Sequence, residues 1–324
     1  MKMANGSLIE FFILAAYGEL GHTQYVYFLF ILLLYLSIVM LNILLISTIS
    51  LDRQLHKPMY FFMVNLGVNG LYGSLGLIPT LLVHVLSGTH EISRPACLVQ
   101  IFCLHTYGVC EFTTLAAMAY DRYVSICNPL WYDRIMTPLK VFAFVAGVWL
   151  FTVSKTSVTV VLTSQLPLCG MHIEKLYCDN FSLVKLACRD TTVNNVYGLI
   201  SLFLSVGPQL SLILYSYGKI ITISLKASSN SRAKAVHTCT PHLISLANFS
   251  IACTFEVLQS RFDMSKVPRT FRLIASVYFL VFTPLLNPII YGVRSEVIRK
   301  SMLKVLNIKR TTNQAMSNQT QRRV

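Results

Sequence analysis

The sequence predicts an all-α membrane protein: a bundle of seven membrane-spanning helices followed by a short amphipathic helix. Two observations favour this fold class. Of the 324 residues, 54% are hydrophobic and only 12% are charged, whereas a soluble globular protein averages about 25% charged residues. The apolar residues also fall into seven segments, each near the roughly 20 residues that a membrane-crossing helix needs.

These segments define the predicted organisation of the chain. The first is the plainest, YVYFLFILLLYLSIVMLNILLISTIS. The predicted spans are 25–50, 58–86, 98–120, 141–164, 195–225, 237–259 and 271–292. Since no fixed-period repeat is visible, we predict a single bundle over 25–292. An extracellular N-terminus (1–24) precedes it, and a cytoplasmic amphipathic helix and tail (293–324) follow it.

The basic residues predict the orientation of the bundle. With the N-terminus outside, 17 of the 27 lysines and arginines fall in cytoplasmic segments, as the positive-inside rule favours. The net charge of +14 then indicates contact with anionic lipid and protein partners at the inner membrane face. Nucleic-acid binding would need a basic patch on a soluble domain and is not expected.

Cysteines and one sequon are consistent with this orientation. Cys97, Cys169, Cys178 and Cys188 fall on the predicted outer side, where two disulfides can form, and three pairings are open. Asn5, in the sequon NGS, is the predicted glycosylation site. A metal cluster is not expected, because CGMHIEKLYC lacks paired C-x-x-C spacing.

Four stretches, in this order and spacing, carry a resemblance to a known family. They are PMYFFMVNL (58–66), MAYDRYVSICNPLWY (118–132), SRAKAVHTCTPHLI (231–244) and PLLNPIIYGVRSEVIRK (284–300). The chain therefore resembles, over essentially its whole length, an odorant receptor of the rhodopsin-like G-protein-coupled class. VNGLYGSLGLIPTLL is more similar to the fish branch of that family. The resemblance implies the disulfides Cys97–Cys178 and Cys169–Cys188.

A predicted activation switch lies at the inner end of the third span. An unpaired guanidinium at Arg122 would be costly in the membrane, and Asp121 is adjacent to pair with it. Tyr217, Lys234, His237 and Cys239 are predicted neighbours of Arg122. An interfacial ion pair without a switching role is the alternative. The resemblance implies a switch set of Glu111, Asp121, Arg122, Tyr123, Tyr217, Asn287, Pro288 and Tyr291.

Two positions depart from the family pattern. Gly70 stands where the family has an acidic residue in the second helix, so Glu111 lacks its acidic partner. We expect Glu111 to bind sodium poorly and to be protonated or paired with a Ser, Asn or His. Phe249-Ser250-Ile251 stands where Phe-Tyr-Gly is common, which puts the usual floor of the ligand cavity in doubt.

Geometry and resemblance together predict a ligand pocket between the outer halves of the third, fifth, sixth and seventh helices. Its candidate residues are His105, Gly108, Val109, Phe112, Ser201, Ser205, Cys253, Thr254, Val257, Arg261, Ser276, Val277 and Leu280. Arg261 is a candidate anchor for the carboxylate of an acidic odorant. Its alternative is a salt bridge with Asp263 or Glu174.

The predicted function is an odorant receptor in the plasma membrane that activates a stimulatory, olfactory-type G protein and raises cyclic AMP. The predicted G-protein contacts are Arg122, Ile126, Pro129, Leu130, Tyr217, Arg232 and Lys234. No enzyme motif is visible and no cofactor is expected. The alternatives are a non-olfactory small-molecule receptor and, in a different class, a seven-span transporter or channel.

Overall fold

Seven long helices form a bundle in the part of the chain that the structure describes. The computed structural model describes residues 9–18, 21–261, 267 and 269–305, with the backbone alone at 259–261, 269, 270, 272–276 and 294. The helices are α1 (Gln24–Leu51), α2 (Pro58–Leu86), α3 (Arg94–Cys127), α4 (Pro138–Ser164), α5 (Thr192–Lys226), α6 (Ser229–Arg261) and α7 (Arg269–Arg294).

The predicted fold class is confirmed. Helices α1 to α6 are each long and apolar enough to cross a membrane, and α7 passes the same test together with a following helix, α8 (Glu296–Val305). The two are separated by a bend of 96°. With ten residues, α8 is about 15 Å long and too short to span a bilayer by itself. The bend fits the predicted change from a spanning helix to a surface helix.

Local sequence explains where several helices begin. Ser93 caps α3 by accepting a hydrogen bond from the Ala96 N–H, and Thr137 caps α4 by accepting one from the Lys140 N–H. Proline stands at the first or second position of α2, α3 and α4, where its missing N–H costs no helical hydrogen bond. Prolines inside helices, such as Pro208 in α5, are tolerated because neighbouring helices can satisfy the freed backbone groups.

A short sheet closes one end of the bundle. Strand β1 (Phe11–Leu14) pairs antiparallel with β2 (Glu91–Ser93) and parallel with β3 (His172–Ile173). The disulfides Cys97–Cys178 and Cys169–Cys188, each with a Cα–Cα distance of 5.4 Å, are at the same end and match the pairing that the resemblance implies. We call this the disulfide end, and the opposite end, where Arg122 lies, the Arg122 end.

The connections at the Arg122 end are short. A 3-10 turn (Arg53–Leu55) joins α1 to α2, and a second turn (Pro129–Trp131) with a short helix (Tyr132–Ile135) joins α3 to α4. The Asp52 carboxylate accepts a hydrogen bond of 2.6 Å from the Ser301 hydroxyl. This bond attaches α8 to the α1–α2 connection.

The largest core cluster runs through α2, α3, α6 and α7, with Leu115, Met118 and Tyr291 among its buried members. The close contact of α2 with α3 requires glycine, because a Cβ at Gly73 would be 2.5 Å from the Tyr107 ring. Large apolar side chains of α1, such as Tyr25 and Met40, remain exposed on the outside. A lipid-facing surface accounts for this exposure.

Candidate functional site

A cluster of charges links the α4–α5 loop to α6 near the disulfide end. The Lys175 ammonium contacts the Asp179 carboxylate at 2.9 Å and the Glu256 carboxylate at 2.5 Å, and the Tyr177 hydroxyl donates to Glu256 at 2.8 Å. Burial alone would lower the pKa of Lys175, but the two carboxylates raise it. Burial alone would raise the pKa of Asp179, but Lys175 and Ser182 lower it. Both groups are therefore charged near neutral pH.

A second lysine lies between α4 and α5. The Lys155 ammonium donates to the Ser201 carbonyl at 3.4 Å and to the Ser205 hydroxyl. The Ser205 hydroxyl in turn donates to the Ser201 carbonyl at 2.7 Å. His105 of α3 lies within electrostatic reach of Lys155 and Lys175. Three of the predicted pocket residues, His105, Ser201 and Ser205, thus come together around a lysine that was absent from the predicted set.

Aromatic rings lie below this polar group. Phe112 stacks on Phe249, with ring centroids 6.0 Å apart, and Phe249 contacts Phe279 at 5.5 Å. A Cβ at Gly108 would be 3.4 Å from the Phe279 ring. The rings of Phe112, Phe249 and Phe279 therefore pack against one another, and we call them the aromatic floor. Ser250 stands next to Phe249 in place of the expected tyrosine, and the effect of this departure on a ligand cavity stays a prediction.

The remaining predicted pocket residues divide into several groups. Val109, Cys253 and Val257 are partly exposed, whereas Leu280 is buried in the main core cluster. Val277 packs with Ile38 and Ile78 on the side of α1 and α2, and Thr254 is exposed. The side chains of Arg261 and Ser276, and all of Asp263, lie outside the described residues, so the predicted anchor has no described geometry.

Glu111 joins three helices at the centre of the bundle. Its carboxylate accepts hydrogen bonds from the amides of Asn69 on α2, at 2.8 Å, and Asn287 on α7, at 2.6 Å. The partner is therefore asparagine, one of the alternatives expected when the acidic partner is missing. At Gly70 the absence of a side chain lets α2 pack closely against α7, because a Cβ there would be 3.0 Å from Pro284.

The Asp121–Arg122 pair lies within α3. The two side chains are 3.0 Å apart, with Asp121 fully buried and Arg122 14% exposed. The Tyr132 hydroxyl, from the α3–α4 connection, donates to the other oxygen of Asp121 at 2.8 Å. Arg122 is within electrostatic reach of Tyr217 and Cys239, two of its four predicted neighbours. Among the described residues, the ion pair itself does not extend to α6.

A histidine connects α6 to α3 and α5. His242 Nε2 is 2.9 Å from the Leu115 carbonyl, and Nδ1 is 2.5 Å from the Tyr217 hydroxyl. Because a carbonyl only accepts, Nε2 must donate, and Nδ1 of the neutral ring then accepts from Tyr217. Sequence reasoning missed His242. A histidine inside an otherwise apolar span was the signal that could have found it.

The other predicted switch residues occupy two places. Tyr123 faces α5, where its ring meets Tyr215 edge-on with centroids 5.5 Å apart. Asn287 and Tyr291 are buried on one side of α7, with Pro288 between them. Sequence reasoning also missed the bridge from Trp149 to Asn65, at 2.8 Å, and from Asn65 to Thr114, at 2.8 Å. This bridge ties α4 to α2 and α3.

The five predicted G-protein contacts other than Arg122 and Tyr217 are exposed or partly exposed at the Arg122 end. Leu130 is 94% exposed on its 3-10 turn. Pro129, Arg232 and Lys234 are also exposed, and Ile126 is partly exposed. A crevice of about 480 Å³ at the same end is lined by His237, Val293, Glu296 and Arg299. His237, a predicted neighbour of Arg122, belongs to this crevice.

Two further predictions concern a metal cluster and the glycosylation of Asn5. In the described part of the chain, no group of three or more His, Cys, Asp or Glu residues is arranged to hold a metal ion. Asn5 lies outside the described residues, so its glycosylation stays a prediction.

Comparison with known proteins gives a consistent result. The olfactory receptor family model matches residues 31–309. Human olfactory receptor 1M1 is 34% identical over 97% of this chain and all of its own length, and human olfactory receptor 6N1 is 34% identical over 94% and 98%. Squid rhodopsin superposes with a TM-score of 0.71 at 16% identity, covering 94% of this chain and 91% of its own. The fish-branch similarity stays a prediction.

Proposed function

The chain belongs to the olfactory receptor family, and on that premise we propose that it binds a small, water-soluble odorant near the disulfide end and activates a stimulatory, olfactory-type G protein at the Arg122 end. Activation would raise cyclic AMP. Membership makes the chain a multi-pass membrane signalling receptor and not an enzyme. We propose the plasma membrane as its location, with the N-terminus and the disulfide end outside.

The observation that carries this proposal is a set of polar contacts between helices at two levels of the bundle, its centre and the part nearer the Arg122 end. Glu111 joins α2, α3 and α7 through Asn69 and Asn287. Beyond it, His242 joins α6 to α3 and α5. Each contact is a hydrogen bond that can exchange partners without breaking a covalent link. A bundle connected in this way can have two arrangements, and a ligand that favours one of them shifts the equilibrium.

We assign Arg122 the central role at the G-protein surface. In the described arrangement its guanidinium is held by Asp121, which is held in turn by Tyr132. Pro129, Leu130, Arg232 and Lys234 are exposed at the same end of the bundle. Movement of α6 away from α3 would uncover Arg122 for a partner protein. Basic α8, with Lys300 and Lys304 exposed, would lie against anionic lipid.

A cyclic-AMP assay tests this function. Cells that express the receptor with the olfactory-type G protein would receive pooled acidic, amino-acid, amine and neutral odorants. We expect a dose-dependent rise for the wild type and none for Arg122→Ala at matched surface level. Arg53→Ala, which removes an exposed arginine from the same end, is the control and should respond normally. An equal response from wild type and Arg122→Ala would contradict the proposed coupling.

A further inference from the structure

We propose that the ligand is a small carboxylic acid whose carboxylate binds the Lys155 ammonium beside His105, and whose apolar body extends toward the aromatic floor of Phe112, Phe249 and Phe279. This inference rests on the proposed function, since it names the chemical class of the odorant. It assigns the anchor to α4, a helix outside the predicted pocket set.

The partners of Lys155 and Lys175 differ, and this difference supports an anionic ligand at Lys155. Lys175 contacts two carboxylates, those of Asp179 and Glu256. Lys155 has neutral partners, the Ser201 carbonyl and the Ser205 hydroxyl. Among the described residues, no carboxylate forms an ion pair with Lys155. An anionic ligand would therefore supply the counter-charge that Lys155 lacks in this part of the chain.

The Lys155 side chain is directed into the bundle. The buried face of α4 is formed by Val148, Thr152, Thr156, Thr159 and Thr163, and Lys155 lies at the edge of this face, on the side of α5. Its ammonium reaches two residues of α5 that are themselves buried. The Tyr197 hydroxyl of α5 donates to the Lys155 carbonyl at 2.9 Å. The lysine is thus fixed on the protein side of α4.

An ammonium at this depth is a strong site for an anion. An unpaired charge within the membrane interior is costly, so a carboxylate that replaces neutral partners would bind with a charge-assisted hydrogen bond. An ammonium has three donors, and two are used by Ser201 and Ser205. His105 of α3 lies within electrostatic reach of Lys155 and can supply a further donor to the same carboxylate.

The distance from His105, beside the anchor, to the floor sets the size of the ligand. His105 and Phe112 are seven residues apart on one helix, which is roughly 10 Å along its axis. On the side of α3 that these two residues share, Gly108 and Val109 lie between them and carry no charge. A medium-length aliphatic or a phenyl-bearing acid fits this arrangement: its head is polar and its body is apolar.

The competing ligand class is an amine. Glu256 is the acidic residue on this part of α6, and its second oxygen has no hydrogen-bond partner among the described residues. Its first oxygen, however, is already bound by Lys175 and Tyr177, and its second oxygen is buried. An ammonium ligand would have to open this cluster to reach Glu256. We therefore favour the carboxylate.

Thermal unfolding of the purified full-length receptor tests the inference without a G protein. The probes are two matched sets: octanoate, octanamide and octylamine, and phenylacetate, phenylacetamide and phenethylamine. We expect at least one carboxylate to stabilise the wild type more than its amide and amine. Lys155→Met should weaken that carboxylate about 10- to 100-fold, as for the loss of a charge-assisted hydrogen bond. Lys155→Arg, which keeps the charge, should retain most of the binding.

Two further variants distinguish an anchor at Lys155 from an anchor on α6 and from a loss of folding. Arg261→Ala tests the predicted anchor on α6: carboxylate binding that is lost in Arg261→Ala and kept in Lys155→Met would move the anchor to α6. The unfolding temperature without ligand shows whether Lys155→Met is folded, and Lys155→Gln is a second neutral replacement. The inference is overturned if no carboxylate is preferred by the wild type, if amines are preferred, or if the neutral variants bind carboxylates as well as Lys155→Arg does.

The result is separable from the proposed function. Selective carboxylate binding without a cyclic-AMP response would support this site and contradict the proposed coupling. A cyclic-AMP response to neutral odorants alone, unchanged in Lys155→Met, would support the proposed coupling and contradict the carboxylate site at Lys155.

Discussion

The two ends of the bundle are held together by different kinds of interaction. The disulfide end has two covalent bridges, a three-stranded sheet and a buried ion pair that joins the α4–α5 loop to α6. The Arg122 end has an ion pair between adjacent residues of α3 and a hydrogen-bonded histidine between α3, α5 and α6. It has no disulfide among its described residues.

This difference indicates which end can move. Covalent bridges and ion pairs between segments fix the position of one segment against another. The Asp121–Arg122 pair fixes Arg122 on its own helix, so at the Arg122 end α6 depends on hydrogen bonds that are worth about 1 kcal/mol each. A receptor of this kind would keep its ligand site ordered while its other end changes shape. The following predictions test that contrast, from the largest effect to the smallest.

Breaking the Cys97–Cys178 bridge should have the largest effect. The bridge closes a loop with a sequence separation of 81 residues, and in the chain-entropy account a loop of this length contributes about 4 kcal/mol. Cys97→Ser should greatly reduce the amount of receptor at the cell surface, measured by antibody labelling of intact cells. Cys103→Ser, at a free and partly buried cysteine of the same helix, should express normally. Equal surface levels would show that the disulfide end does not depend on this bridge.

Removing one partner of the buried ion pair should have the next largest effect. Lys175→Met leaves the Asp179 and Glu256 carboxylates without their shared cation, at a cost of about 3 kcal/mol. The thermal unfolding temperature of the purified receptor measures this cost. Lys175→Met combined with Glu256→Gln should cost less than the sum of the two single changes.

Lys300→Met is the matched control at the other end. It breaks the Lys300–Glu296 pair, whose side chains are 72% and 64% exposed, and exposed pairs of this kind contribute little. We expect no measurable change in the unfolding temperature. If both lysine variants were equally stable, the contrast between the ends would not lie in their ion pairs.

His242→Phe should affect signalling more than stability. The change removes the bonds to Leu115 and Tyr217, which together are worth roughly 1 to 2 kcal/mol. If they favour the described arrangement, the active fraction should rise about 5- to 30-fold while it is a minority. Cyclic AMP without odorant measures the rise, and Tyr217→Phe, which removes one of the bonds, should give a smaller one. A lower basal signal at normal surface level would assign these bonds to the active arrangement.

Most of the fold was predictable from the sequence because it depends on local apolar runs. Each predicted span agrees with its helix to within about eight residues. The largest differences are at the Arg122 end of α3 and at the start of α6, where the helix continues past the apolar segment into charged residues. These extensions of α3 and α6 are helical and contain the charged residues Arg122, Arg232 and Lys234. Apolar composition reports the thickness of the membrane, not the full length of a helix.

The polar site was less predictable because its partners are distant in sequence. The resemblance identified Glu111, Arg122 and Asn287, but not Asn69, which takes the place of the missing acidic partner one position before Gly70. Lys155 and Glu256 were also absent from the predicted pocket. Whether a mid-span charge points into the bundle depends on how neighbouring helices are rotated. That rotation is a property of packing, which a single sequence does not display.

Removing the hydrogen bond that attaches α8 to the α1–α2 connection should have the smallest effect on the stability of the receptor. The hydrogen bond from Ser301 lowers the pKa of Asp52, with smaller contributions from the Gln54 N–H, Lys304 and His56. Because the folded pKa is below the unfolded one, this contact stabilises the fold above the unfolded pKa of about 3.9. The stabilisation is lost as the pH falls through the folded value. Ser301→Ala should therefore unfold slightly earlier than wild type at pH 7, and the difference should shrink below about pH 4.

Hydrogen exchange shows where that difference arises. Ile298 and Val305 still bury one side of α8 against the bundle, so Ser301→Ala should accelerate exchange over 296–305 and leave α3 unchanged. Ser231→Ala, at an exposed serine of the same end, should change neither region. Faster exchange throughout α6 and α7 in Ser301→Ala would mean that α8 restrains the whole Arg122 end. The freedom of that end would then be set by the Asp52–Ser301 contact as well as by His242.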